Sequence, residues 1–304
     1  MTDRTVSSAP ARRPRRELSE GQLAAVLLAP ALLVLGAVLL YPMLSTLYTS
    51  LLTQKLTEPW LGTPFSGLKN YVQLVHDARF WTALQHTLVF GVLTVSGSFL
   101  VGVPMALIAH WEGRLRPYAR VAMLLPWAMP PTFTALTFQW MFNGQYGVVN
   151  DLLVRLGGEA RSWLTQPVWA ATALILTIIW KTSSFVALMV LGGLQGVPRE
   201  LTEAAEVDGA GSWVSFWRVT VPLLAPTLAV AFIFRAISAL QVFDIPYAFS
   251  GGGPAGATET LGIYIYRTSI EFLDFGYGAA LAVALFAVSL GITAVYVRYV
   301  RGDQ

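Results

Sequence analysis

Long apolar segments alternate with shorter polar segments along this chain of 304 residues. Each apolar segment has the roughly 20 residues that a helix rising about 1.5 Å per residue needs to cross the hydrocarbon of a bilayer. Four of these segments carry no charge, and two more are each interrupted by a single cation, Lys181 or Arg235. The pattern predicts an all-α, polytopic membrane protein with six transmembrane helices, at about 23–44, 82–108, 119–142, 168–192, 223–243 and 277–298.

Composition and charge support this class and suggest an orientation. Hydrophobic residues make up 55% of the chain and charged residues 12%, which is too apolar for an ordinary soluble domain. The segments on the side of both termini hold twelve Lys and Arg residues, against six on the other side. Because cytoplasmic loops carry the excess of Lys and Arg, both termini are expected in the cytoplasm. The basic tail, 1–22, is expected to be disordered, and the transmembrane domain is predicted over 23–304.

Several kinds of chemistry are not expected from this composition. The net charge is only +3, with no basic patch interleaved with aromatics, so nucleic acid is not an expected partner. The chain has no cysteine and three scattered histidines, His76, His86 and His110, so neither a thiol nucleophile nor a metal site is predicted. It also lacks the G-x-x-x-x-G-K-[ST] phosphate loop, so no ATP site of that kind is expected in this chain.

Prolines mark several of the predicted spans, and the third contains Pro126, Pro130 and Pro131 in "LLPWAMPP". Each proline removes a backbone hydrogen bond, which lipid tolerates only where a neighbouring helix or water satisfies the freed carbonyl. Such breaks favour a packed and moving bundle. The alternative is that proline is simply commoner in membrane helices than in soluble ones.

Four polar residues within or beside the spans are candidates for a substrate pathway. A cation in a span costs about 2.5 to 3.5 kcal/mol on insertion scales, so Lys181 and Arg235 should face the bundle interior or water. Each could contact the substrate or pair with a carbonyl or carboxylate of the bundle. Gln241 and Asp244, near the outer end of the fifth span, could bind hydroxyl groups of a ligand, or cap the end of that span near Pro246.

An acidic polar segment, "RELTEAAEVDGAG" over 199–211, separates the fourth and fifth spans. Pro198 at a first-turn position, acids near the start and Gly209 as terminator predict a helix of about ten residues. Ser212 is expected to cap a second helix that Pro222 ends.

The residues of the first of these helices indicate a docking element. Two adjacent alanines, Ala204 and Ala205, allow close approach of another backbone, and Glu203 lies away from the side that they share with Leu201. A row of carboxylates offers charge-assisted bonds to Arg or Lys of a partner. The alternative is a solvated connecting loop, since charge runs are usually solvated.

The spacing of these residues resembles a known motif. Glu203, Ala204 and Ala205, then three residues, Gly209, nine residues and "VTVP" ending at Pro222 are similar to the EAA loop of membrane subunits of bacterial binding-protein-dependent ABC importers. "GLKNYVQLVHDARFWTALQHTLVF", "WMFNGQYGVVN" and "FDIPYAFSGGGPAGATETLGIYIY" resemble the maltose-type branch, which imports carbohydrates. The resemblance covers almost the whole chain beyond residue 22.

The resemblance implies a permease subunit in a bacterial inner membrane, with five of its six helices forming the ABC-importer permease core. It implies that the loop over 197–222 couples the spans to an ATPase. The implied coupling residues are Glu203, Ala204, Ala205, Gly209 and Pro222. The implied partners are a dimer of ABC ATPases that binds the ATP, a second permease subunit, an extracytoplasmic solute-binding protein and a carbohydrate, which is a mono- or oligosaccharide or a glycerol phosphate. The subunit itself would then perform no chemistry and hold no cofactor.

Three other interpretations remain at this point. An ABC permease for a non-sugar solute would share the loop but not the "FD", "GGGP" and "TETL" series. An ion-driven secondary transporter would predict internal repeats and acids within spans, neither of which is evident. An intramembrane enzyme would need a Ser-His, Asp-pair or metal motif, which is not found.

Overall fold

The computed structural model describes residues 19–110, 114 and 116–302. The chain divides into two compact units, Met1–Thr46 and Leu47–Gln304, each described by itself below. This division falls within the first helix rather than at residue 22, so the transmembrane domain over 23–304 stays a prediction. The basic tail predicted over 1–22 lies outside the described residues, apart from 19–22.

Helix α1 (Glu20–Thr49) provides the described part of the first unit and ends at the start of the second. It begins with a capping box, in which the Ser19 hydroxyl accepts from the Gln22 amide and the Gln22 side chain accepts from the Ser19 amide. A π-helical turn over Gly36–Leu40 precedes Pro42. Because Pro42 has no N–H, the wider turn lets the helix continue past it.

The described part of the second unit is helical, apart from turns, loops and two isolated bridges, Leu52 with Phe65 and Lys55 with Asp274. Its helices are, in chain order, α2 (Lys69–His76), α3 (Ala78–His110), α4 (Arg116–Ala128), α5 (Pro131–Met141), α6 (Val148–Arg155), α7 (Pro167–Gln195), α8 (Arg199–Val207), α9 (Ser212–Leu240), α10 (Asp244–Ser250), α11 (Leu261–Tyr266, continued by a π-helical turn over Arg267–Glu271) and α12 (Phe275–Gly302). Among the described residues, five helices are long and apolar enough to cross a membrane, or six if α4 and α5 are counted as one span.

Helices α3 and α7 form the centre of this unit and pack closely along each other. Gly102 on α3 makes the approach possible, because a Cβ there would lie 2.6 Å from the carbonyl oxygen of Ser183 on α7. Small residues at such crossings let membrane helices approach closely. Beside this crossing, Ala106, Met123, Val186 and Leu224 belong to one buried cluster that joins α3, α4, α7 and α9.

The third predicted span, 119–142, is not one continuous helix. It consists of α4 and α5, whose axes are bent by 100°. The break lies at Pro130 and Pro131, which have no N–H to donate to the carbonyls of Pro126 and Trp127. The prolines noted in the sequence therefore break the span rather than kink it.

The predicted end of a helix at Pro222 is wrong. Helix α9 begins at Ser212 and continues through Pro222 to Leu240. A π-helical turn over Phe216–Thr220 comes first, and the Val221 amide donates to the Phe216 carbonyl. The wider turn accommodates the proline, so the helix continues. Gly211 rather than Ser212 is the N-cap residue, and it has no side chain to cap with.

Candidate functional site

A cavity of about 280 Å³ lies among α3, α7, α9 and the start of α10. Three of the four predicted pathway residues line it: Arg235 from α9, Gln241 from the segment that follows, and Asp244 from the start of α10. The fourth, Lys181, is not among the residues that line this cavity. The structure therefore brings one cation, one amide and one carboxylate, all from residues 235–244, to the same cavity.

Arg235 is the deeply buried charge of this cavity, with 5% of its surface exposed. Its Nε lies 3.5 Å from the Ser98 hydroxyl oxygen on α3, and its Nη2 has no hydrogen-bond partner among the described residues. Nor does any carboxylate of the described part of the chain lie within 4.0 Å of it. A guanidinium has five N–H donors and no acceptor, and the two donors on Nη2 have no partner among the described residues.

The hydroxyl groups around the cavity are available as acceptors. Thr94, Thr182 and Ser238 line it, and each donates its proton to a carbonyl of its own helix. A hydroxyl that donates in this way still has lone pairs to offer. With the carboxylate of Asp244 and the amide oxygen of Gln241, the walls present many acceptors beside the guanidinium of Arg235.

Two aromatic residues, Phe90 and Phe243, line the cavity, and sequence reasoning missed both them and the cluster of rings around Phe243. Phe243 lines the cavity, and its ring centroid lies 5.1 Å from that of Tyr247 and 5.2 Å from that of Tyr266. The two tyrosines complete the cluster, with centroids 4.9 Å apart. The only clue in the sequence is the aromatic content of "QVFDIPYAF" and "IYIY", since the rings come from two segments that the fold brings together.

Lys181 has a different position and different partners. Its ammonium group donates to the carbonyl oxygens of Pro126, at 3.2 Å, and of Met129. Both carbonyls lie at the break between α4 and α5. Pairing with backbone carbonyls was one of the two interpretations left open for this residue, and it is the arrangement found.

A buried ion-pair cluster lies at the end of the bundle where α3 begins. Glu259, with 7% of its surface exposed, accepts from Arg79 Nε at 2.9 Å, from Arg79 Nη2 at 2.7 Å and from Arg267 Nη1 at 2.8 Å. Burial by itself would raise the pKa of Glu259, but the hydrogen bonds and charges of Arg79 and Arg267 hold that pKa below its ordinary value. The cluster ties the segment before α11 to the start of α3.

A second carboxylate strengthens the same end of the bundle. Asp77 accepts from the Tyr264 hydroxyl at 2.5 Å and from the Tyr277 hydroxyl at 2.6 Å. Burial would raise the pKa of Asp77, yet these hydrogen bonds lower it. The "TETL" segment noted in the sequence thus lies within a polar network, whose other members were not predicted because they are distant along the chain.

The opposite end of the bundle presents helix α8. Glu203 and Ala204 are exposed and Ala205 is half-buried. Leu201, expected on the apolar side, is 45% exposed, and Val207 is 88% exposed. The part of the chain that the structure describes therefore leaves Leu201 and Val207 of α8 uncovered, which is typical of a surface that meets another protein.

Gly209 fixes the end of α8. It has a φ of +83°, its amide donates to the Glu206 carbonyl, and the Ala210 amide donates to the Ala205 carbonyl. These two bonds and the left-handed residue form a Schellman motif, in which glycine is the residue without steric penalty. The predicted terminator is thus found at the predicted residue.

A cleft of about 630 Å³ lies beside α8, between it and the ends of α3 and α7. Glu203 and Glu206 line it from α8, and Leu107 and Leu194 line it from the two long helices. Pro222, the last of the predicted coupling residues, lies within α9 and does not line this cleft. Phe216, six residues earlier in the same helix, does.

These features define a class of protein: a polytopic helical membrane protein with a cavity of mixed polar and apolar walls among its helices and an exposed helix at the other end of the bundle. Residues 98–302 match the family described as binding-protein-dependent transport system inner membrane component. The chain belongs to this family and is a translocation component of an ABC-type transport system in the inner membrane.

Relatives match over nearly the full length of the chain. The sulfoquinovosyl glycerol transport system permease protein SmoG of Agrobacterium fabrum is 47% identical over 285 residues, 94% of this chain and 92% of that protein. The trehalose/maltose transport system permease protein MalF of Thermococcus litoralis is 36% identical over 282 residues, 93% of this chain and 95% of that protein.

The fold is also that of a solved structure. A crystal structure of a bacterial ABC transporter involved in the import of the acidic polysaccharide alginate contains a chain that matches with a TM-score of 0.78. The two chains are 24% identical, and the match covers 92% of this chain and 95% of that one. The likeness concerns the arrangement of the helices.

Proposed function

We propose that this chain is a permease subunit of an ATP-driven importer and forms part of the transmembrane path for a carbohydrate. The observation that carries the proposal is the combination of a cavity with mixed polar and apolar walls and an exposed, partly apolar helix at the other end of the bundle. Relatives with 47% and 36% identity are named as permeases for sulfoquinovosyl glycerol and for trehalose or maltose, which supports a carbohydrate as the substrate.

The cavity supports a hydroxylated substrate on physical grounds. Sugars present many O–H donors, and the cavity presents acceptors from Thr94, Thr182, Ser238 and Asp244. Phe90 and Phe243, which line the cavity, offer flat apolar surfaces beside these polar groups, which suits the mixed apolar and polar faces of a sugar ring. Arg235, Gln241 and Asp244 are therefore proposed as pathway residues, whereas Lys181 is proposed to stabilise the break between α4 and α5.

Helix α8 is proposed as the coupling element. Glu203 would accept charge-assisted hydrogen bonds from a cationic side chain of the partner, and Ala204 and Ala205 would allow the partner's backbone to come close. The ending at Gly209 keeps α8 short and rigid, so that displacement of α8 is passed on to α9 instead of being absorbed by a flexible loop. ATP would be bound by a dimer of ABC ATPases on this side, and this chain would hold no cofactor and hydrolyse no ATP.

The proposed assembly has two further partners. A second permease subunit, different from this one, would complete the path, and an extracytoplasmic solute-binding protein would deliver the sugar to the end where Glu259 and Asp244 lie. Both termini and α8 would be cytoplasmic, as the distribution of Lys and Arg predicts. Binding of ATP would then change the relative stability of two arrangements of the helices, one open to each side.

Co-purification from membranes tests this proposal. Affinity-tagged wild-type chain is expected to recover an ABC ATPase and a second permease, identified by mass spectrometry. Glu203→Lys is expected to lose most of the ATPase while retaining the permease. Glu159→Lys is the matched control, because it reverses the charge of an exposed loop residue before α7 and should recover both partners. Recovery of the chain alone, or equal recovery from both variants, would contradict the proposal.

A further inference from the structure

We infer that Arg235 is the recognition residue for an anionic group, such as a sulfonate, carboxylate or phosphate, on the transported carbohydrate. The inference rests on the proposed function and specifies its substrate class. It starts from a contrast between the two cations in the long apolar helices of this chain.

Lys181 lies in the middle of α7 and Arg235 lies five residues before the end of α9, and the two cations differ in their partners. Lys181 donates to two backbone carbonyls. Arg235 makes one long contact, from Nε to Ser98, and leaves Nη2 without a partner among the described residues. A buried charge is normally paired and hydrogen-bonded, because its desolvation is otherwise uncompensated. Among the described residues neither cation has a carboxylate partner, but Arg235 also lacks the carbonyl acceptors that Lys181 has.

The chemistry of the guanidinium indicates which counter-charge would pair with it. Arg235 remains protonated at any physiological pH, and its planar fork of N–H groups matches the paired oxygens of an oxyanion. Since Arg235 lines a cavity of about 280 Å³, an oxyanion could reach it there. That volume lies near the lower end of the roughly 300 to 1,000 Å³ of ligand pockets and suits a single small glycoside.

The remaining walls of the cavity specify the rest of the ligand. Thr94, Thr182 and Ser238 offer lone pairs, and Arg235 is the only cation among the described residues that line the cavity. Asp244 is exposed and would repel an anion while accepting from sugar hydroxyls. One anionic position at Arg235 and hydroxyl positions elsewhere describe a polyol that carries one acid group.

Equilibrium binding to the purified transporter complex tests this assignment directly. The complex is locked with a non-hydrolysable ATP analogue, and the binding protein is removed so that its own selectivity does not contribute. The two probes are radiolabelled sulfoquinovosyl glycerol and glucosyl glycerol, which differ by a sulfonate in place of a hydroxyl. Wild-type complex is expected to bind the sulfonated glycoside about tenfold more tightly or better, the scale of a hydrogen bond to a charged group.

Three variants distinguish recognition of the anion from a general role in the cavity. Arg235→Gln is expected to reduce the preference for the sulfonated probe to about twofold or less. A twofold ratio is about the error with which independent free-energy changes add. Arg235→Lys, which keeps the charge, should retain a preference for the sulfonated probe. Gln241→Ala should weaken the binding of both probes by the same factor, because an uncharged amide is expected to contact hydroxyl groups that the two probes share.

The outcomes separate this inference from the proposed function. Equal affinity of the wild-type complex for both probes, a preference that survives Arg235→Gln, or binding of neither probe would overturn the inference. Loss of the second permease from the Arg235→Gln complex would also overturn it, since Arg235 would then pair with that subunit. Any of these results leaves the co-purification test of the proposed function unaffected, because that test uses Glu203 and the opposite end of the bundle.

Discussion

Lys181 on α7 donates a hydrogen bond to the carbonyl oxygen of Pro126 on α4, at 3.2 Å. In a continuous helix this carbonyl would accept from residue 130, which is a proline and has no N–H. The lysine therefore replaces the backbone donor that the proline removed. The break of 100° between α4 and α5 is tolerated because the neighbouring helix α7 supplies a cation to the exposed carbonyls.

This hydrogen bond predicts that removing the Lys181 ammonium group costs more stability in the wild-type protein than in a Pro130→Ala background. Lys181→Met should lower the stability of the detergent-solubilised protein by about 1 to 3 kcal/mol, the cost of leaving a buried acceptor without a donor. In a Pro130→Ala background the same substitution should cost less, because the alanine brings back a backbone N–H. Thermal unfolding of the four proteins measures the coupling, and identical losses in both backgrounds would exclude the explanation.

The crossing of α3 and α7 predicts a strict requirement for a small residue. Gly102→Ala would place a Cβ 2.6 Å from the Ser183 carbonyl oxygen and 2.8 Å from the Val186 Cβ. The helices would have to separate, at a cost of about 1 to 3 kcal/mol for overpacking. Gly192→Ala on α7 is the matched control, because no atom lies within 4 Å of a Cβ there. Equal unfolding temperatures for the two variants would contradict the close packing.

The ion-pair cluster around Glu259 predicts a particular dependence on pH. Its pKa in the folded protein lies below the ordinary 4.5, so the stability that its charge contributes is fully present above about pH 4.5 and is lost as pH falls through the lower folded value. Glu259→Gln should therefore unfold at a lower temperature than wild type at pH 7, and the difference should shrink below pH 4.5. Thermal unfolding between pH 7 and pH 3 measures it, and a difference that grows on acidification would show that the sign is wrong.

The Schellman ending of α8 predicts a graded response at Gly209. Its φ of +83° strains a residue with a Cβ, although no atom would clash with that Cβ. Gly209→Ala should cost about 1 kcal/mol, whereas Gly209→Asn should be milder because asparagine tolerates the left-handed region better. If α8 is the coupling element, sugar transported per ATP hydrolysed should fall in the order glycine, asparagine, alanine. A ratio indifferent to both changes would mean that the shape of α8 is not important for coupling.

The long helices could be predicted from the sequence because apolar length is a local property, and the membrane imposes one requirement on each segment. The terminator at Gly209 was predictable for the same reason, since the Schellman motif involves only neighbouring residues. By contrast, the prediction that a helix ends at Pro222 was wrong. A π-helical turn lets α9 continue past this proline, and no residue pattern predicts such a turn.

The parts that the sequence could not predict are contacts between distant segments. Arg79 and Glu259 are separated by 180 positions, and no periodicity links them. The choice between substrate contact and carbonyl pairing for Lys181 depended on where α4 breaks relative to α7, which is a matter of packing. The aromatic cluster at Phe243, Tyr247 and Tyr266 similarly requires α10 and α11 to meet.

The central claim is that this chain couples ATP hydrolysis by a partner to movement of a carbohydrate, and reconstitution tests it most directly. Proteoliposomes would contain this chain, the co-purified ATPase and the second permease, with the solute-binding protein and labelled sugar on one side and ATP on the other. The account predicts ATP-dependent accumulation of the sugar that requires the binding protein and is lost with Glu203→Lys but not with Glu159→Lys. Accumulation without ATP, driven by an ion gradient and unaffected by Glu203→Lys, would contradict it.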